Sequence, residues 1–164
     1  MSRRPPKARS PKATWTLYTS ENGKVPKDLG LLMGGVIAAL RSHRPHLLPH
    51  NLPDVSKFEA RCILTPEEIE TLAVLLEMLH EEGLGPESPW HSATENVKGK
   101  RYKGLKELKV PNTTNNPRLL HVVTDGNQVI FISGFAKKKM KLDETEKDTA
   151  RERRISLTER NLWP

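Results

Sequence analysis

Three runs decide the fold: GLKELKV at 104–110, PRLLHVV at 117–123 and QVIFISGFAKKKMK at 128–141. Each is rich in apolar and β-branched residues and is bounded by turn formers, so the three read as consecutive strands at 105–110, 118–124 and 127–135. Asp125-Gly126 between the last two is the dipeptide of a two-residue hairpin turn. With that turn, Arg118 faces Ser133 and shares a sheet face with Leu120, Val122, Val129, Phe131 and Phe135. A guanidinium on an apolar face needs an anionic partner or an exit to solvent. Glu107 is one such partner; a phosphate gripped as a fork at the end of the sheet is the other.

Outward from this core, residues 65–82 carry the signature of an amphipathic helix. Thr65 caps it, Pro66 takes the first helical position, and Glu68 completes a capping box. Ile69, Leu72, Leu75, Leu76 and Leu79 form one apolar stripe, and Gly83 ends the helix. Residues 14–19 (TWTLYT) read as a short strand, followed by an Asn22-Gly23 turn. A helix over 26–40 is expected, although Gly30, Gly34 and Gly35 each weaken it by about 1 kcal/mol. Pro45, Pro49 and Pro53 make 41–61 an irregular insertion. Its His43, His46 and His50 lack the accompanying cysteine or carboxylate pattern of a metal site. Residues 85–103 read as a loop, and 143–157 as a helix that starts acidic (Asp143, Glu144, Glu146) and ends basic (Arg151, Arg153, Arg154), matching its dipole.

The expected architecture is α+β: helices on an antiparallel sheet of three to four strands, closed by a C-terminal helix. Residues 1–13 form a disordered basic arm, 14–157 a single domain with the insertion at about 41–61, and 158–164 a tail.

A net charge of +7 favours polyanionic partners, nucleic acid above all. Lys137, Lys138, Lys139 and Lys141 follow the last strand, and Lys98, Lys100, Arg101, Lys103, Lys106 and Lys109 make a second basic group. At 5% aromatic content, a broad base-stacking platform is disfavoured. The lone Cys62 excludes an internal disulfide and reads as a small buried hydrophobe in a reducing, cytoplasmic setting. No apolar run approaches the ~20 residues of a membrane span.

Gly104-Leu105-Lys106-Glu107-Leu108, Arg118, Phe135-Ala136-Lys137-Lys138 and Ala150, in this order, resemble the RelE/HigB superfamily of toxins from type II toxin–antitoxin modules. The phage-derived, HigB-type branch is the nearest in pattern, over about residues 72–154, and Leu84-Gly85-Pro86 matches its glycine after the helix. The resemblance implies a RelE-like fold and a metal-independent endoribonuclease without cofactor. Its substrate would be mRNA on the ribosome, cleaved by attack of the 2′-hydroxyl, and its partner a cognate helix-turn-helix antitoxin. The cations such a transition state needs would be Arg118, assisted by Lys137 or Lys138. Lys109, where the family carries an arginine, would hold RNA with Lys106, Lys103, Tyr102, Lys139 and Lys141. Tyr102 and His121 are the nearby groups able to transfer a proton or stack on a base. His121 lies on the face opposite Arg118, which favours a structural role, and His91 is an alternative. Two other readings stand beside this one: a non-catalytic nucleic-acid-binding module, and a module whose basic face binds an acidic antitoxin tail.

Overall fold

The computed structural model describes residues 11–110, 113–136 and 144–163. It is α+β, with a five-stranded mixed sheet between two helical layers. The strands are β1 (Thr14–Leu17), β2 (Thr94–Asn96), β3 (Lys106–Lys109), β4 (Pro117–Val123) and β5 (Gln128–Ala136), in the order β1-β5-β4-β3-β2. β2 to β5 pair antiparallel, while β1 joins β5 in parallel. The sheet is thus wider than expected, because TWTLYT docks on β5 and a three-residue polar strand hides inside the apparent loop at 85–103.

The turn after β4 differs from the two-residue reading. Thr124 and Gln128 close a three-residue loop, with Asn127 at φ +57° in the left-handed region. A bulge between Leu120 and His121 adds a second residue of offset. Arg118 therefore faces Phe135 rather than Ser133.

One face of the sheet packs on α1 (Lys27–His43), α3 (Pro66–Glu82) and the single turn α4 (Pro89–Ser92). Phe131 forms its centre, between Trp15 and Trp90. The glycines of α1 serve packing. A Cβ on Gly34 would lie 2.9 Å from the Phe58 backbone, and Gly30 meets the Phe58 ring. Phe58 belongs to α2 (Ser56–Glu59), so the 41–61 segment docks on α1, and Trp15 Nε1 donates to the Leu47 carbonyl at 2.9 Å.

α3 has the predicted capping box. Its Glu68 also reaches across to Asn115, accepting from the backbone N–H at 3.0 Å and from Nδ2 at 2.6 Å. Burial alone would raise this carboxyl, but bonds from Thr65, Asn115 and Thr113 outweigh it and hold Glu68 at about 2.

The other face carries α5 (Glu144–Glu159), which buries Ala150 and Leu157. Arg153 fastens it: Nη1 and Nη2 take Asp28 of α1 at 3.0 and 2.9 Å, and Nη1 also donates to Ser133 Oγ and the Ile132 carbonyl, both at 2.9 Å. Asp28 in turn accepts from Gly134 N–H at 3.2 Å, beyond the point where β1 leaves β5. Residues after α5 continue across the sheet, with Trp163 Nε1 donating to the Val123 carbonyl at 3.0 Å. No helix among the described residues is long and apolar enough to cross a membrane.

Candidate active site and nucleic-acid surface

Strand register brings four charged side chains together on the α5 side of the sheet. Lys109 is cross-strand to Arg118, and Glu95 is cross-strand to Glu107. Two rows of a pleated sheet thus present a lysine and an arginine beside two glutamates. Lys109 pairs with Glu95, and Arg118 Nε lies 3.0 Å from Glu107 Oε1.

The Arg118–Glu107 pair is buried, with side chains 12% and 6% exposed. Its contact is close but poorly aligned: neither Arg118 Nε nor Glu107 Oε1 makes a well-directed hydrogen bond, and Arg118 Nη1 is buried without an acceptor among the described residues. In a low dielectric this matters, since an unmet donor costs on the order of 1–3 kcal/mol and an anionic oxygen brought to it recovers that cost.

The other predicted residues are distributed differently. Lys106 pairs in register with His121, on the opposite sheet face and at the far end of β3 from Lys109. Tyr102 and Lys103 lie in the loop between β2 and β3, also remote from the Arg118 end of the strand. Tyr102 is buried, and its hydroxyl donates to Asp148 of α5 at 2.6 Å. That bond is the main reason its phenol is raised above the usual tyrosine range, with burial adding to it. Lys137, Lys138, Lys139 and Lys141 lie outside the described residues.

His121 is fully buried, its ring 5.7 Å from Trp90 and 5.9 Å from Phe131. Burial pushes its pKa down to about 4; the Leu119 carbonyl opposes this and Lys106 adds to it. It is neutral at pH 7 and stands on the face opposite Arg118. His91 is exposed on α4. Among the described residues, no group of three or more His, Cys, Asp or Glu side chains is arranged to hold a metal ion.

Glu95 escaped the sequence reading because β2 has only three residues, Thr-Glu-Asn, and no apolar alternation. The Asp28–Arg153 clamp joins residues far apart in the chain, with no periodicity to announce it.

Residues 64–154 match the family described as phage-derived protein Gp49-like (DUF891). The chain belongs to this family. The Gp49-like family is part of the RelE/HigB-like toxin superfamily, which gives the protein a toxin–antitoxin context and an antitoxin as the expected kind of partner. The matched span runs from the cap of α3 through β2–β5 to Arg154, so all four residues of the charge cluster fall within it. No curated protein matches the chain.

Proposed function

We propose that this protein is the toxin of a toxin–antitoxin module and cleaves mRNA, on the ribosome, by 2′-hydroxyl attack without a metal ion. The observation that carries this reading is the buried Arg118–Glu107 pair, with one guanidinium nitrogen lacking an acceptor among the described residues. A scissile phosphate entering here meets a cation held on a rigid strand, which is what charge developing on phosphorane oxygens requires.

Glu107 takes the second role. A phosphate that draws Arg118 away leaves the Glu107 carboxylate without its partner and open to a hydrogen bond from the 2′-hydroxyl. It then accepts the 2′-hydroxyl proton as the 2′-oxygen bonds to phosphorus. The 5′-oxygen departs with a proton given by the Lys137 or Lys138 ammonium, leaving a 2′,3′-cyclic phosphate and a 5′-hydroxyl. Lys137 or Lys138 assists at the departing oxygen, and Lys109, released from Glu95, holds the neighbouring phosphate together with Lys139 and Lys141.

A cell-free translation reaction with purified protein tests this. Mapped 5′ ends of the message should show discrete cuts within codons, absent with the Arg118→Met, Glu107→Leu double variant. Intact message at normal protein yield would overturn the reading in favour of a nucleic-acid-binding or antitoxin-binding module.

A further inference from the structure

The loop between β2 and β3 has a construction that the Arg118 site does not explain. It carries Lys98, Lys100, Arg101 and Lys103 within six residues, all exposed. Lys98, Lys100 and Lys103 have no carboxylate partner among the described residues, and Arg101 has only a loose contact with Asp148 at 3.6 Å. By contrast, Lys109 and Arg118 are each matched by a glutamate. The free positive charge of this part of the fold is therefore on the loop.

An isolated lysine-rich loop is ordinarily mobile and solvated, but this one is fixed at several points. Val97 N–H donates to the Leu105 carbonyl at 3.0 Å and closes its base. The Tyr102 ring is buried beneath it and tied to Asp148. Arg154 of α5 reaches under the loop and donates to the carbonyls of Lys103 and Arg101. Gly104, at φ +91°, packs so closely on Trp163 that a Cβ there would lie 2.8 Å from the indole. These contacts turn backbone oxygens and the one aromatic ring inward, leaving cations outward. A shallow groove of about 780 Å³ runs between Asn96 and Leu105, with Lys100 and Lys103 at its sides.

We propose that this loop is a preformed grip for an RNA phosphate backbone, separate from the Arg118 site and independent of base sequence. RNA as the occupant rests on the function proposed above. The chemistry of the surface agrees with it: unpaired cations suit phosphates, and the loop's own aromatic ring, Tyr102, is buried rather than offered for base stacking. A membrane surface fits poorly, because the exposed large hydrophobics among the described residues are only Ile63 and Leu162. Holding the loop before binding lowers the ordering cost of the complex.

The test is fluorescence anisotropy with a 5′-labelled, unstructured 16-nucleotide RNA over a range of salt concentrations, with cleavage of the message measured in parallel in the cell-free translation reaction. Replacing Lys98, Lys100 and Lys103 together by Gln should lower the salt slope by about 2, at roughly 0.7 for each phosphate no longer neutralised. Cleavage should fall through KM, with kcat held. Tyr102→Phe removes a tether and no charge, so it should weaken affinity severalfold and leave the slope unchanged. An unchanged slope in the triple variant overturns the grip, whether or not the message is cut. RNA binding with a normal slope in the wild type, a reduced slope in the triple variant and no cleavage in either keeps the grip and overturns the nuclease. Binding to an acidic peptide but not to RNA overturns both.

Discussion

Arg118 Nε lies 3.0 Å from Glu107 Oε1, and neither side chain is more than 12% exposed. The pair is thus a structural element as well as a proposed catalytic one, and the two roles can be separated. Removing one partner leaves a buried, uncompensated charge, which costs about 3–5 kcal/mol. Arg118→Ala should therefore lose activity and also unfold at lower urea. The Arg118→Met, Glu107→Leu double variant replaces the pair by apolar groups of similar size and should return to within about 1 kcal/mol of wild type. It should remain inactive. Urea midpoints beside cleavage assays check both parts, and recovered cleavage in the double variant would remove Arg118 and Glu107 from the mechanism.

Much of the α+β fold was legible because β3, β4, β5 and α3 carry strong local signals: alternation, an Asp-Gly turn and a capping box. What was not legible depends on distance in the chain. Parallel docking of β1 on β5 leaves no mark in TWTLYT, and the bulge at Leu120/His121 does not interrupt the apolar run that contains it. The register error followed from those limits: Asn127 in a left-handed conformation lengthens the turn, and the bulge adds to the offset. At the site, the possible pairing of Arg118 with Glu107 could be read from sequence, whereas Glu95 beside Lys109 needed the sheet order.

Arg153 joins three elements through one guanidinium: α5, the N-terminal turn of α1 through Asp28, and β5 through Ser133 and Ile132. Only a planar fork with several donors can meet these acceptors together. Arg153→Lys should destabilise the protein by about 2–3 kcal/mol, close to the effect of Arg153→Ala, since charge without geometry recovers little. Urea unfolding measures the difference; full rescue by lysine would mean that charge alone holds α5 down.

Gly34 and Gly85 make a matched pair for testing close packing. An added methyl on Gly34 falls 2.9 Å from the Phe58 backbone, whereas one on Gly85 meets nothing within 4 Å. The helix propensity gained by Gly34→Ala, about 1 kcal/mol, is opposed by overpacking of about 1–3 kcal/mol against a group that cannot rotate away. Gly34→Ala should lower Tm by several degrees, and Gly85→Ala should leave it nearly unchanged. A raised Tm for Gly34→Ala would show that α2 can retreat without cost.

Two groups give the protein separate acid limits. His121 has its pKa depressed to about 4 in the fold, against an ordinary value of 6.5, chiefly by burial. As pH falls below 6.5 the unfolded chain takes up this proton and the native chain does not, so stability declines until about pH 4, where the native ring also titrates. Glu68 is held at about 2 against 4.5, so its contribution is complete above 4.5 and is lost as pH falls towards 2. Each window spans on the order of 3 kcal/mol, since one pKa unit corresponds to about 1.4 kcal/mol. His121→Leu should flatten the stability profile between pH 6.5 and 4 while keeping the fall below 4.5. Glu68→Gln should lower stability at pH 7 and flatten only the more acidic limb. Urea unfolding at half-unit pH steps resolves the two; an unchanged slope between pH 6.5 and 4 in His121→Leu would place the upper acid limit on another group.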